Sequence, residues 1–169
     1  MAQLTFKPGK DELMINTNGD LPKVGHKAPD FRLVDSRLND VSLATYAGKK
    51  KILNIVPSLD TPVCAASART FNEKVERFDN AVILMVSADL PFAQSRFCEA
   101  EGLKHVVPVS TFRSQFADDY GVLIMDSMLK GLTARAVVII DEDDKVIYTE
   151  LVTEVTHEPD YDAALEAVS

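Results

Sequence analysis

The sequence is poor in cysteine and contains no long apolar segment. Only two cysteines, Cys64 and Cys98, occur among 169 residues, which excludes the dense disulfide framework of small secreted domains. No window approaches the ~18 consecutive apolar residues of a membrane-spanning helix, and no apolar core follows a basic start at the N-terminus. We therefore expect a cytoplasmic protein without membrane contact, a setting in which paired cysteines are more often catalytic or redox-active than a static bridge.

Clustered positive charge is also scarce. The chain has 18 Lys and Arg residues against 26 Asp and Glu residues, a formal net charge of -8. Its longest basic run is Lys49-Lys50-Lys51. We exclude a general nucleic-acid partner, because neutralising phosphates requires clustered cations. The acidic run at 141–144 predicts a hairpin turn, since it lacks the spaced ligands of a calcium loop.

Histidine is the next scarce residue, and its spacing argues against a metal centre. His26, His105 and His157 are far apart, and no pair of cysteines or histidines has close ligand spacing. A glycine-rich phosphate loop is also missing. We predict neither a metal nor a cofactor. A cysteine–histidine hydrolase stays open at this point, because sequence distance does not fix spatial distance.

Apolar runs organise the rest of the chain into one α/β domain over residues 1–169 with a mixed sheet. Central strands are predicted from near-continuous apolar runs at 51–56, 81–87 and 136–140. Helices are predicted after Cys64, from Pro91 to Glu101 with an end at Gly102, and over 158–168. Hairpins are predicted at 3–16, within an N-terminal extension of residues 1–20, at 31–43 and at 136–150.

Cys64 lies where a buried strand ends and a helix begins. Thr61 is predicted to cap the helix and Pro62 to be its first residue, which places Cys64 in the first turn. Free amides and the helix dipole favour an anion there, so the thiol is a candidate reactive thiolate. The structural alternative stays open from these residues alone: Thr61 as a simple cap and Cys64 as a small buried hydrophobe.

Such a helix start meets the demands of peroxide chemistry. A thiolate attacks one oxygen of the O–O bond while the other oxygen leaves with growing negative charge, so donors are needed on both sides. First-turn amides, the Thr61 hydroxyl and a fixed guanidinium could supply these donors.

The pattern Pro57-x-x-x-Thr61-x-x-Cys64 matches the active-site signature of the peroxiredoxins. Ser87–Cys98 and Lys130–Ala136 resemble the bacterial thiol peroxidase branch of that family, whose members are atypical two-cysteine peroxiredoxins. The resemblance covers essentially the whole chain. It implies a thioredoxin-like fold with helices flanking a mixed sheet, an N-terminal β-hairpin, and a homodimer.

The resemblance also implies a role for each site residue. Cys64 is the peroxidatic nucleophile, Thr61 its hydrogen-bonding partner, and Pro57 the residue that shields the pocket. Arg135 stabilises the thiolate and the peroxide, and Cys98 is the resolving cysteine of the same chain. Taken alone, Arg135 would be assigned to a surface ion pair and Cys98 to helix packing.

The implied activity is antioxidant reduction of hydrogen peroxide and organic hydroperoxides to water and alcohols. Cys64 forms a sulfenic acid, Cys98 condenses with it to a disulfide, and thioredoxin reduces that disulfide. Because a disulfide needs Cα atoms within about 7 Å, we predict that both cysteine-bearing helices unwind locally in each cycle. Two other classes compete: a protein disulfide oxidoreductase, disfavoured by the missing Cys-x-x-Cys, and a redox sensor that passes its disulfide to a partner.

Overall fold

The computed structural model describes residues 1–8 and 10–169. Gly9, within the turn predicted for the first hairpin, lies outside the described residues. The strands are β1 (Gln3–Phe6), β2 (Leu13–Asn16), β3 (Leu33–Val34), β4 (Asp40–Val41), β5 (Lys50–Ile55), β6 (Ala81–Ser87), β7 (Val106–Ser110), β8 (Ala136–Ile140) and β9 (Val146–Leu151). The α-helices are α1 (Pro62–Lys74), α2 (Pro91–Glu101), α3 (Phe116–Asp119) and α4 (Tyr161–Val168).

A seven-stranded mixed sheet forms the centre of the molecule, in the order β4-β3-β7-β6-β5-β8-β9. Strands β5, β6 and β7 run parallel, whereas β8 pairs antiparallel with both β5 and β9. Strands β1 and β2 form a separate antiparallel hairpin. The predicted α/β, thioredoxin-like fold with a mixed sheet and an N-terminal hairpin is confirmed.

Capping and helix-terminating residues determine where helices α2 and α4 begin and end. Helix α2 runs from Pro91 to Glu101 as predicted, and Gly102 ends it in the left-handed conformation, with φ of 65°. The last helix begins at Tyr161, later than the predicted residue 158, because the Asp160 side chain caps it by accepting from the Ala163 amide.

Strand β7 was not predicted from the sequence. Its apolar run contains Pro108, which has no amide hydrogen and argues against a strand inside a sheet. The strand nevertheless pairs with β6 over its whole length, from Val106 to Ser110. On its other side, β7 pairs with β3 only at Ser110. Most residues along that side of β7 therefore need no amide hydrogen to pair with a neighbouring strand.

The two faces of the sheet bury separate apolar clusters. On the first face, Leu53 and Ile55 of β5 join the hairpin residues Leu4 and Ile15. The second cluster, which contains Cys64, is formed by alternate residues of the strands and by the inner faces of α1 and α4. Its members include Ile52, Val56, Cys64, Ala68, Phe71, Ile83, Val137, Ala164 and Leu165. Helices α1 and α4 therefore pack on the same face of the sheet, and Cys64 of α1 is buried between that helix and the sheet.

No helix in the described part of the chain combines the length and the apolar character needed to cross a bilayer.

Phe71 anchors α1 in the second cluster. Its side chain is fully buried, and its ring meets Tyr161 of α4 edge-to-face, with centroids 5.2 Å apart. We expect Phe71→Ala to lower the free energy of unfolding by about 3–5 kcal/mol in denaturant titrations, since it removes a buried ring and leaves a cavity. Phe92→Ala, which truncates a phenylalanine that is 68% exposed on α2, should change it by less than about 0.5 kcal/mol. Equal losses in the two variants would contradict this packing role.

Candidate active site

The site begins where β5 ends and α1 starts. Pro57 is buried two residues beyond the strand, and Thr61 adopts the extended backbone of a helix cap. The Cys64 amide donates to the Thr61 hydroxyl oxygen at 3.3 Å, and that hydroxyl donates to the Ser58 carbonyl at 3.3 Å. The predicted cap and the position of Cys64 in the first turn are therefore present, and Thr61 bonds the amide of Cys64 rather than its sulfur.

Sheet pairing brings Arg135 to this helix start. Arg135 directly precedes β8, whose first residue, Ala136, lies opposite Ile55 at the end of β5. The Arg135 Nη1 donates to the Cys64 Sγ at 3.2 Å, and its Nε donates to the Val155 carbonyl at 2.9 Å. The side chain is not the surface ion-pairing residue that its type alone would favour, because it is only 3% exposed.

The neighbour of the buried Arg135 guanidinium is the Cys64 sulfur. Among residues 1–8 and 10–169, none of the ion pairs involves Arg135. An unpaired buried cation is costly, so a negative charge on Cys64 would compensate it. The first helical turn favours the same charge. This arrangement is suited to a nucleophilic thiolate that is shielded from solvent.

Cys98 lies on α2 in a different environment. It is partly buried at the margin of the second cluster, and burial raises the pKa of its thiol to about 11. It faces a cavity of about 360 Å³ that Ser36 and Gly102 also line. Both cysteines are free thiols in this structure, and Cys98 is protonated at neutral pH.

A separate groove of about 720 Å³ opens between α2 and the loop of residues 56–61 that leads into α1 and Cys64, here called the Cys64 loop. Its walls include Thr61, Pro62 and Ala65 on one side and Ala93 and Phe97 on the other. Cys98 does not line this groove. The structure thus brings Cys64, Thr61 and Arg135 together, and it leaves Cys98 on another face of α2.

Sequence reasoning missed polar residues that support the site. Asn54 of β5 is fully buried and donates to the Ser67 hydroxyl at 3.2 Å, which in turn donates to the Cys64 carbonyl at 3.0 Å. Asp89 accepts from the loop before Cys64. Asp89 follows the carboxyl end of a parallel strand, where α/β sheets place functional groups, and that position was an available signal.

Comparison with known proteins agrees with this geometry. A family model described as Redoxin matches residues 23–165. The chain is 52% identical over 153 residues to a thiol peroxidase of Corynebacterium glutamicum. The aligned region covers 90% of this chain and 93% of that relative. The chain therefore belongs to the redoxin family.

Solved structures narrow the class. A peroxiredoxin-like protein from Aquifex aeolicus superposes with a TM-score of 0.90 at 38% identity, covering 99% of this chain and 96% of that one. A thiol peroxidase from Chromobacterium violaceum gives a TM-score of 0.88 at 25% identity, covering 98% and 95%. The predicted resemblance to bacterial thiol peroxidases is confirmed, and the activity that follows is that of a thiol-dependent peroxidase of the peroxiredoxin type.

Arg135 is expected to control the reactivity of Cys64. In a Cys98→Ser background, Arg135→Met should slow alkylation of Cys64 by iodoacetamide at pH 7 by about tenfold or more, because the thiolate loses its buried cation. The matched control is Arg69→Met, which removes an exposed α1 guanidinium paired with Glu101. Equal alkylation rates in the two variants would show that Arg135 does not stabilise the thiolate.

Cys98 should react slowly until the pH is high. In a Cys64→Ser background, its alkylation rate should rise with pH up to about 11 in the folded protein, since burial disfavours the thiolate. In urea, where the chain is unfolded, the pH at which the rate is half-maximal should fall to the ordinary thiol pKa of 9.0. At pH 8 the unfolded chain should therefore hold about a hundredfold more thiolate at this position. Identical pH profiles with and without urea would contradict the assignment.

Proposed function

We propose that this peroxidase reduces hydrogen peroxide and organic hydroperoxides through a Cys64 sulfenic acid and an intramolecular Cys64–Cys98 disulfide that thioredoxin recycles. The observation that carries the proposal is the 3.2 Å contact between the buried Arg135 guanidinium and the Cys64 sulfur. It joins a nucleophile to a fixed donor, as heterolysis of an O–O bond requires.

The first step is attack of the Cys64 thiolate on the terminal oxygen of the hydroperoxide. An S–O bond forms as the O–O bond breaks, and the departing alkoxide or hydroxide takes a proton to leave as alcohol or water. Cys64 is oxidised by two electrons to the sulfenic acid. A guanidinium has five N–H donors, and Arg135 uses donors on Nε and Nη1 for Val155 and Cys64. Its remaining N–H groups can hold the peroxide oxygens.

Thr61 and Pro57 support this step in different ways. The Thr61 hydroxyl accepts from the Cys64 amide and fixes the first turn around the sulfur; rotation of its proton away from Ser58 would let it donate to a peroxide oxygen. Pro57, buried beyond β5, shields the pocket floor from water. Both roles rest on the family resemblance together with these positions.

The second step joins the two cysteines. The Cys98 sulfur attacks the sulfenic sulfur of Cys64, an S–S bond forms and the S–O bond breaks. The proton of the Cys98 thiol leaves with the hydroxide as water. Cys98 lines a cavity that Cys64 does not share, and both residues are held in helices. The first turn of α1 and part of α2 must therefore unwind before the disulfide can form.

The third step restores the dithiol. A thioredoxin thiolate attacks the Cys64–Cys98 disulfide, passes through a mixed disulfide and is itself oxidised. The competing oxidoreductase class is disfavoured because the chain has no Cys-x-x-Cys motif to resolve mixed disulfides. From the family resemblance, we also propose that the protein is a cytoplasmic homodimer and acts in antioxidant defence.

The cysteine variants test this cycle in a peroxide-consumption assay coupled to a thioredoxin system. We expect Cys64→Ser to be inactive, because it lacks the nucleophile. Cys98→Ser should oxidise Cys64 once and then fail to turn over with thioredoxin, since no disulfide can form. Normal turnover by Cys64→Ser would end the proposal. A wild-type protein that is oxidised once but does not cycle would support the redox sensor instead.

A further inference from the structure

We propose that Asp89 is a positioning residue that holds the Cys64 loop and α2 in the conformation that reacts with peroxide, and that release of this link limits disulfide formation. This role rests on the proposed Cys64–Cys98 cycle and goes beyond it by naming what controls the change of conformation. Asp89 touches neither sulfur in the structure, so it acts through the backbone segments that carry them.

The Asp89 carboxylate accepts three hydrogen bonds. Its Oδ1 accepts from the Ser58 hydroxyl at 2.8 Å, and its Oδ2 accepts from the Leu59 amide at 2.7 Å and from the Ser87 hydroxyl at 2.7 Å. Ser58 and Leu59 lie in the loop between Pro57 and the Thr61 cap. Two of the three donors therefore belong to the segment that must move when α1 unwinds.

The link continues into the helix that carries Cys98. The Ser87 hydroxyl accepts from the Gln94 Nε2 at 2.9 Å, and Gln94 is fully buried on α2, one turn before Cys98. The backbone of Asp89 is fixed as well, because its carbonyl accepts from the Ser110 hydroxyl at 2.5 Å. One carboxylate thus connects the loop before Cys64 to the inner face of α2.

The chemistry of this link makes it sensitive to a single substitution. In the part of the chain that the structure describes, no ion pair involves Asp89, so these donors provide its stabilisation. Hydrogen bonds to a carboxylate are about twice as strong as neutral ones. An asparagine has nearly the same shape but is neutral. It keeps the bonds from the Leu59 amide and the Ser87 hydroxyl only with its NH₂ group turned to Ser58, and in either orientation these bonds lose their charge assistance.

Weakening the link should affect the two chemical steps in opposite directions. The first oxidation needs the intact loop and first turn, which keep Thr61 and Cys64 beside Arg135. Disulfide formation needs the same turn and α2 to unwind, which becomes easier when the carboxylate no longer joins them. A residue that only stabilises the fold would not accelerate one step of the cycle while slowing the other.

The test is Asp89→Asn in single turnover with one equivalent of hydrogen peroxide, followed by rapid alkylation and mass spectrometry. We expect oxidation of Cys64 to slow by about tenfold and the sulfenic acid to convert to disulfide about tenfold faster, because the hydrogen bonds of the link become neutral and weaker. Amide hydrogen exchange should rise together in residues 59–64 and 94–98, because the link joins these segments.

Asp126→Asn is the matched control. Asp126 also accepts from a backbone amide and a side-chain amide, both of Asn16, at 2.9 and 2.7 Å. It is outside both cysteine-bearing segments, so both steps should stay within about twofold of wild type. If Asp89→Asn folds poorly, Ser58→Ala removes one donor from the link and should give the same signs with changes of about threefold.

The outcomes separate this role from the proposed cycle. If wild type forms the disulfide and Asp89→Asn slows both steps, or changes neither beyond the Asp126→Asn control, Asp89 is not the link and the cycle stands. If wild type itself forms no Cys64–Cys98 disulfide, the cycle fails, and the role of Asp89 fails with it.

Discussion

The contact between the Arg135 guanidinium and the Cys64 sulfur sets the requirements for the rest of the structure. A buried cation without an acidic partner is stable only if the surrounding structure holds it and offers it negative charge. The Val155 carbonyl holds one side of the guanidinium, and the thiol lies on another. The antiparallel pairing of β8 with β5 brings these groups together. The site therefore depends on sheet register as much as on residue identity.

The helix that carries Cys64 has two conflicting tasks. Its first turn must be ordered for the amides, the Thr61 cap and Arg135 to surround the sulfur. In the proposed cycle the same turn must open for the thiol of Cys98, which lines another cavity and whose pKa is raised to about 11 by burial. Polar links such as those of Asp89 suit this conflict, because the partly exposed carboxylate holds the two segments by charge-assisted bonds and can bond to water once the segments separate.

Elements marked by local chemistry were predictable from the sequence. Thr61 and Pro62 indicate the start of α1, and Pro91 and Gly102 indicate the two ends of α2. Uninterrupted apolar runs indicate β6 and β8. Strand β7 was missed because Pro108 breaks the pattern of a central strand. The sheet tolerates this proline because β3 pairs with β7 only at Ser110. The support from Asn54 and Asp89 was missed because their hydrogen-bond partners lie far along the chain, and only the position of Asp89 after a parallel strand was a signal in the sequence.

The sequence by itself determined the candidate reacting groups, which are a thiol in the first turn of a helix, a capping threonine and a second thiol on another helix. It also contained motifs specific enough to identify the family. Local backbone preferences and residue types decide these features, so they can be read along the chain. Only the tertiary structure decided that Arg135, 71 residues from Cys64, is buried against its sulfur. It also decided that Cys98 does not line the groove between Thr61 and α2, and that Asp89 joins the loop before Cys64 to α2. These relations follow from strand register and helix packing, which bring distant residues together through contacts that no local pattern encodes.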